Sequence, residues 1–393
     1  MSIYKSFRPI AHVFYAPTAT ILVATIFLSS FLSGCSVLSN FTGPAKPQPA
    51  ALQSVSGAVS AKQVWSNRIG AINFPLEVHV SGNTLFLAGA DGSVAAIDGR
   101  TGADVWRTNA GSPVVTGVGS DGKTAAVVTQ TNDVVVFVDG REVWRQKLGA
   151  QVYTAPLVAG GRVFVLAGDR SVSAFDGLTG RKLWSQQRPA EPLVLKQSGV
   201  ILAVGDTLVV GFSGRLAGLN PSSGVVRWEA PIASPRGVND IERLVDLVGR
   251  VSRDGESVCA RAFQASVGCV NTARGSVVWS KPANGAQGIH GDDRQIFGSE
   301  SDGVVQAWRR IDGERVWSTD ALRYRSLTAP LVVGRSVAVG DFAGLVHLLS
   351  REDGSLLNRL TTDGSPIAAA PVLVGNTLVA VTRNGGIFGF VPE

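Results

Sequence analysis

Apolar residues occur along most of this chain in short paired runs that are separated by tight turns. Residues 156–158 and 163–166 form one such pair, and residues 371–374 and 378–381 form another, with Gly-Gly and Gly-Asn between them. Runs of this length bounded by turn residues predict β-strands. Because consecutive positions within a run are apolar, both faces of each predicted strand should be buried, so the sheets should pack between other sheets.

Tryptophan recurs at an almost constant interval. The seven positions are separated by 41, 38, 40, 44, 51 and 38 residues, which is close to the length of one propeller blade. We expect each ring to wedge against a neighbouring sheet, since seven copies at this spacing argue against ligand-stacking residues. The residues of this blade motif are Trp65, Trp106, Trp144, Trp184, Trp228, Trp279 and Trp317.

Glycine precedes six of these tryptophans by four positions, and residues 96–106 and 174–184 are the fullest copies of the unit. Asp98 and Asp176 are expected to accept hydrogen bonds from turn N–H groups, while Gly102 and Gly180 supply the positive φ that closes a hairpin. The same frame predicts a further unit at Gly354, in which Asn358 takes the tryptophan position. Each unit therefore predicts strand, tight turn and outer strand.

The two chain ends carry complementary halves of one unit. The last strand set, from Ile367 to Val391, has no tryptophan-bearing outer strand, and residues 63–65 have no inner strands before them. The sequence therefore predicts an all-β, eight-bladed β-propeller of four-stranded antiparallel blades, like that of quinoprotein dehydrogenases. Its N-terminal outer strand should join the C-terminal blade and thereby remove an open sheet edge.

The N-terminal region has the pattern of a secretory lipoprotein signal. Lys5 and Arg8 precede an apolar stretch that ends in Leu-Ser-Gly-Cys at Cys35, and this stretch is short for a transmembrane helix. We expect residues 1–34 to be a signal peptide and Cys35 to be lipidated. Residues 35–58 should form a flexible tether, and residues 59–393 should form the propeller.

Composition and charge are consistent with a propeller that follows a lipoprotein signal. The 393 residues include 46 glycines and one methionine, which fits many strands joined by tight turns. The formal charge of +6 falls to +4 when Lys5 and Arg8 leave with the signal. The basic residues are spread along the repeats, so no nucleic-acid partner is indicated.

Two cysteines, Cys259 and Cys269, remain after the lipidation site, in a compartment that permits disulfides. They flank a predicted hairpin turn at Gln264 and Ala265. A two-residue turn would place them diagonally on opposite faces, whereas one extra residue would place them directly opposite each other. A structural disulfide is therefore one of two outcomes.

The longest interval, between Trp228 and Trp279, has its excess between Pro231 and Ser257. An ordinary loop followed by an inner strand, with Leu244, Leu247 and Val248 in the core, would explain it. The equivalent connection one blade earlier is residues 188–197, and equivalent connections of adjacent blades lie side by side. Leu193 and Leu195 should then neighbour residues 240–246, forming an apolar patch with charges around it, as protein-binding sites have.

The lipoprotein signal, the tether and the eight repeats together resemble the BamB family of outer-membrane β-barrel assembly lipoproteins, over the whole chain. Residues 193–196 and 241–246 carry the local resemblance. It implies a non-catalytic scaffold, lipid-anchored at the periplasmic face of the outer membrane, that binds BamA POTRA domains, with unfolded outer-membrane proteins as a further candidate partner. The partner-binding residues carried over are Leu193, Leu195, Lys196, Arg243 and Asp246; Val248 stands where a second Asp occurs in the family.

Two other functions use the same fold. A quinone-dependent dehydrogenase would need a Ca²⁺ site, a base and commonly vicinal cysteines, and no grouped set of that kind stands out. His79, His290 and His347 fall in separate units without cysteine partners, so we predict neither a metal site nor a cofactor. A periplasmic propeller scaffold with a different partner remains the second alternative.

Overall fold

The computed structural model describes residues 47–55, 57–188, 193–236 and 238–393. The predicted signal peptide, Cys35 and the first part of the tether lie outside these residues. Pro49–Glu393 forms one compact unit. The described residues contain strands and turns but no helix, and accordingly none that is long and apolar enough to cross a membrane.

Within the described residues, thirty-two strands form eight four-stranded sheets, which we number as blades 1 to 8. Strand β1 (Ala61–Arg68) belongs to the last blade. Blade 1 contains β2 (His79–Ser81), β3 (Thr84–Ala88), β4 (Ser93–Asp98) and β5 (Asp104–Asn109); blade 2 contains β6 (Gly119–Ser120), β7 (Thr124–Val128), β8 (Asp133–Val138) and β9 (Arg141–Lys147); blade 3 contains β10 (Leu157–Ala159), β11 (Arg162–Leu166), β12 (Ser171–Asp176) and β13 (Lys182–Gln187); blade 4 contains β14 (Ile201–Val204), β15 (Thr207–Phe212), β16 (Arg215–Leu219) and β17 (Val226–Pro231).

Blade 5 contains β18 (Leu247–Asp254), β19 (Ser257–Ala262), β20 (Ser266–Asn271) and β21 (Ser276–Pro282); blade 6 contains β22 (Ile289–Gly291), β23 (Gln295–Ser299), β24 (Val305–Arg309) and β25 (Arg315–Thr319); blade 7 contains β26 (Leu331–Val333), β27 (Ser336–Gly340), β28 (Leu345–Ser350) and β29 (Leu356–Thr361). Blade 8 contains β30 (Val372–Val374), β31 (Thr377–Val381), β32 (Gly386–Pro392) and β1. The predicted fold class is confirmed.

The ring closes within blade 8, as predicted. Strand β1 pairs antiparallel with β32, from Ala61 opposite Pro392 to Arg68 opposite Gly386. The middle strands are buried on both faces; the four residues Leu85, Phe86, Leu87 and Ala88, for example, are at most 1% exposed. Because each sheet is covered on both sides, its strands carry continuous rather than alternating apolar residues.

Each tryptophan of the motif packs on the glycine of the following unit. A β-carbon added at that glycine would come within 2.4 to 3.2 Å of the preceding tryptophan side chain, and all seven glycines have positive φ. In five cases the indole Nε1 also donates to a turn carbonyl of the next blade, at 2.7 to 3.1 Å. The pairs are Trp65 with Gly102, Trp106 with Gly140, Trp144 with Gly180, Trp184 with Gly224, Trp228 with Gly275, Trp279 with Gly313 and Trp317 with Gly354. Each indole thus lies against the neighbouring blade.

The compact unit that contains the propeller includes residues from Pro49 onward, which lie within the predicted tether. Ala50 N–H donates to the carbonyl of Arg323 at 2.8 Å, and Gly57 N–H donates to the carbonyl of Leu357 at 3.0 Å. The Arg325 guanidinium donates to the Ala50 carbonyl at 3.1 Å. This part of the predicted tether is therefore held against blade 7, because its backbone groups find partners there.

The two cysteines form a disulfide. Cys259 lies directly opposite Cys269 in the pairing of β19 with β20, in which Ala262 is opposite Ser266. The connecting turn thus has three residues, 263–265, and Gln264 adopts a positive φ of 48°. Because of the extra turn residue, the two cysteines lie directly opposite each other and not diagonally on opposite faces of the sheet.

The three histidines of the described residues all lie in strands and have lowered pKa values. Burial is the largest cause in each case, and for His290 the nearby cations Arg250 and Arg310 add to it, which lowers its pKa to about 3. His290 Nδ1 accepts the Val332 N–H at 3.1 Å. His347 Nε2 lies 2.9 Å from Asp341 Oδ2. His347 is fully buried, whereas His79 and His290 are half-buried, and in all three burial favours the neutral ring.

Replacing a glycine of the tryptophan contact should destabilise the ring. Gly180→Ala adds a methyl group 2.6 Å from the Trp144 ring, at a φ of +70°, so we expect unfolding to become easier by about 2 kcal/mol. Gly161→Ala is the matched control, because Gly161 has the same φ of +70° and nothing lies within 4 Å of its β-carbon. Urea denaturation of both variants measures the difference, and equal stabilities would contradict this account of the contact.

The buried histidines should make the protein sensitive to mild acid. The unfolded chain protonates His290 near the ordinary histidine pKa of 6.5, whereas the folded chain does so only near 3, so stability is lost as the pH falls below 6.5. His290→Asn, which retains an acceptor for Val332, should reduce the loss between pH 7.5 and pH 5.5 by about 1.4 kcal/mol. Denaturant titrations at the two pH values test this, and an unchanged pH dependence would argue against a neutral buried His290.

Candidate partner-binding surface

Two consecutive connectors form the candidate surface. Residues 188–200 join β13 of blade 3 to β14 of blade 4, and residues 232–246 join β17 to β18 of blade 5. Because the strands of a blade alternate in direction, these connectors lie on the same face as the turn between the second and third strands of each blade. The two connectors meet where the Leu195 N–H of the first donates to Asp246 of the second, at 3.1 Å.

The first connector presents the predicted apolar and basic residues to different extents. The Leu193 side chain is exposed, at 39%, and Lys196 is exposed as well, whereas Leu195 is half-buried. Leu195 lines a small crevice of about 40 Å³ that also contacts Tyr153 and Leu247. Leu193 is thus the more accessible apolar residue, and Leu195 helps to seat the connector on the ring.

The second connector is a compact turn with an apolar tip. Asn239 Oδ1 accepts the Glu242 N–H at 2.9 Å, and Glu242 Oε2 accepts the Val238 N–H at 2.9 Å. The Arg243 N–H donates to the Asn239 carbonyl at 3.1 Å. These bonds hold Val238, at 96% exposure, and Ile241, at 77% exposure, outward.

Asp246 does not lie at the surface, although the family resemblance implies an acidic partner residue there. The residue is 8% exposed. Its Oδ1 is 2.7 Å from Arg170 Nη1, and its Oδ2 accepts the Leu195 N–H at 3.1 Å. Both carboxylate oxygens are therefore bonded within the chain, and the exposed acidic groups of this connector are Asp240 and Glu242.

Val248, which stands at a family acidic position, is also inside the fold. It is 1% exposed and lies opposite Arg261 in the pairing of β18 with β19. Leu247 is buried too, while Leu244 is half-buried. The interpretation of this region as a loop followed by an inner strand is therefore right for its C-terminal end, where Val248 contributes almost nothing to the accessible surface.

Three residues of this surface were not expected from the sequence. Arg170 belongs to the turn between β11 and β12 and donates through Nη2 to the Leu193 carbonyl at 2.9 Å. Val238 and Ile241 are apolar residues of the second connector, and alone they look like any loop positions. Arg170 could have been noticed by comparing the repeats with one another. The equivalent turn position is glycine in blades 1, 6, 7 and 8, so an arginine there stands out.

A second concave region lies where the inner strands of six blades converge. This cavity of about 1070 Å³ is lined by residues that include Glu77, Arg250 and His290. Burial raises the pKa of Glu77, against the effect of Arg250 nearby, and burial lowers the pKa of Arg250 to about 10. Arg250 Nη1 donates to the Pro371 carbonyl at 2.9 Å. In the part of the chain that the structure describes, no group of three His, Cys, Asp or Glu residues could hold a metal ion.

Solved structures share this fold. The crystal structure of BamB from Moraxella catarrhalis has a TM-score of 0.77 at 23% identity, covering 84% of this chain and 100% of that one. The quinohemoprotein alcohol dehydrogenase from Comamonas testosteroni has a TM-score of 0.65 at 13% identity, covering 87% of this chain and 78% of that one. At these identities both likenesses show the fold alone.

Comparison of the sequence with known proteins identifies the family as well as the fold. The family model described as outer membrane protein assembly factor BamB matches residues 90–319. The outer membrane protein assembly factor BamB of Burkholderia pseudomallei (strain K96243) is 38% identical over 356 residues, which are 90% of this chain and 93% of that protein. On these matches, together with the eight-bladed ring, the chain belongs to the family of the outer membrane protein assembly factor BamB.

Proposed function

We propose that this protein is a non-catalytic scaffold of the machinery that assembles outer-membrane β-barrel proteins, anchored to the outer membrane through a lipid on Cys35. The relative described above is named as an assembly factor and not as an enzyme, which favours a scaffold over a dehydrogenase. Its partner in this proposal is BamA, bound through the POTRA domains.

The observation that carries the proposal is the pair of connectors joined on one face of a rigid ring. Leu193, Val238 and Ile241 present exposed apolar side chains on these two connectors. Protein interfaces place a few apolar anchors inside a polar rim, and here the rim contains Lys196, Asp240 and Glu242. A preorganised surface of this kind binds a partner without first ordering its own loops.

The charges of this surface differ from those that the resemblance implies. Lys196 is exposed, and Arg243 is half-buried, whereas Asp246 is bonded inside the chain. We therefore propose that Lys196 and Arg243 face acidic groups of the partner, and that Asp246 supports the connectors from below.

Charged substitutions at the apolar anchors should strongly weaken partner binding. We expect Leu193→Glu/Leu195→Glu to weaken binding to purified BamA POTRA domains by at least about 30-fold, since each buried anchor of an interface contributes on the order of 2 kcal/mol. Co-purification with BamA from membranes and calorimetric titration measure the effect. Because Leu195 is half-buried, Leu193→Glu alone provides the same test with less risk to the fold.

The matched control is Leu178→Glu. Leu178 is 82% exposed and lies in the turn between β12 and β13, on the opposite face of the ring, so this variant should bind BamA normally. Undiminished binding by Leu193→Glu/Leu195→Glu would contradict the proposed surface. If the unmodified chain instead retains a different protein, identified by mass spectrometry, the scaffold has another partner.

A further inference from the structure

Arg170 joins both connectors of the candidate surface from a turn of blade 3. Its Nη1 is 2.7 Å from Asp246 Oδ1 in the second connector, and its Nη2 donates to the Leu193 carbonyl in the first, at 2.9 Å. Asp246 Oδ2 completes the link by accepting the Leu195 N–H at 3.1 Å. One guanidinium and one carboxylate thus fix the backbone on both sides of Val194.

These contacts are shielded from water. Arg170 is 6% exposed and Asp246 is 8% exposed. Hydrogen bonds between ionised groups are shorter and stronger than neutral ones, and a buried pair is screened much less by salt than a surface pair. The bonds therefore restrain the connectors more firmly than exposed ion pairs such as that of Arg227 with Asp206 would.

The same turn occurs in six blades, and Arg170 is unusual in it. In each of them the turn residue donates its N–H to the carbonyl three positions earlier, at 2.9 to 3.4 Å, and has positive φ. The residues at this position are Gly92, Asn132, Arg170, Gly303, Gly344 and Gly385.

Glycine adopts positive φ without a steric penalty, and asparagine is the best tolerated alternative. Arginine has neither advantage, so the turn itself gives no reason for an arginine in blade 3. A non-glycine residue in this conformation is a reason to ask what its side chain contributes. Here the side chain extends to the two connectors of the candidate surface.

We propose that Arg170 is a positioning residue for the partner-binding surface and that Asp246 acts through it, without touching the partner. This proposal rests on the proposed function. The pair holds residues 193–195 in the conformation that turns Leu193 outward, and it locks the first connector to the second. Loss of the pair would leave the anchors present but no longer held in the binding conformation.

Arg170→Gly tests the proposal, because it removes the side chain and gives the turn the residue that four other blades use. We expect hydrogen–deuterium exchange of a peptide covering residues 193–198 to become at least about tenfold faster in the free full-length chain, as bonded amides open locally. Binding to purified POTRA domains should weaken by about tenfold, if the competent conformation falls to roughly a tenth of the population. The global unfolding midpoint should also fall, because the buried Asp246 carboxylate loses its cation, so exchange and binding are compared under conditions in which each variant is fully folded.

Asn132→Gly is the matched control, since it makes the same backbone change in blade 2, away from both connectors. It should leave exchange at residues 193–198 and POTRA binding unchanged.

Arg170→Gly/Asp246→Asn removes both charges and replaces the single variant if an unpaired Asp246 prevents folding. A second readout is coupling: Arg170→Gly should add little to the binding loss of Leu193→Ala, whereas Lys196→Ala should add its full effect.

Unchanged exchange at residues 193–198 in Arg170→Gly would overturn the restraint. Faster exchange with undiminished POTRA binding, or full additivity with Leu193→Ala, would overturn the positioning role. Exchange is measured on the free protein and does not depend on BamA. It therefore separates failure of this inference from failure of the proposed function, which the Leu193→Glu/Leu195→Glu variant decides.

Discussion

The contact between each indole and the glycine of the next blade is the constraint on which the structure depends. The ring of Trp144, for example, lies against Gly180 so closely that a β-carbon has no room, and its Nε1 donates to the Gly177 carbonyl at 2.9 Å. Burial of such a side chain contributes roughly 1.5–3 kcal/mol. Each sequence unit therefore takes part in two contacts. Its glycine packs on the tryptophan of the preceding unit, and its tryptophan packs on the glycine of the next, so the two residues recur together.

The eighth contact differs because the chain ends meet there. Asn358 of blade 7 faces blade 8, where a continuous chain would have a turn between the third and fourth strands. In place of that turn, the residues after β32 meet the residues just before β1, where the Glu393 N–H donates to the Ser60 carbonyl at 3.2 Å. Here a residue just before β1 supplies the acceptor, because Asn358 Nδ2 donates to the Val59 carbonyl at 2.7 Å. The missing tryptophan is thus a consequence of where the ring is closed.

Features set by repeated side chains could be predicted from the sequence, and those set by backbone contacts could not. The blade number and the closure follow from the glycine and tryptophan positions. The segment before residue 59 is held through the carbonyls of Ala50 and Gln53, while Leu52 remains 47% exposed. Its sequence therefore looks like that of a free tether. Likewise, a three-residue or a two-residue turn fits the same letters between Cys259 and Cys269.

At the candidate surface, too, some features could be predicted from the sequence and others could not. The sequence indicates which residue types lie on the two connectors, but not that Asp246 points inward, because its partner Arg170 is 76 positions away. Comparison of the repeats with one another does carry information about that partner. Eight blades built on one plan provide an internal standard, and a position that is glycine or asparagine in five equivalent turns makes an arginine in the sixth conspicuous. Such a departure has no explanation within its own blade, and in this ring its side chain reaches the connectors that follow blades 3 and 4.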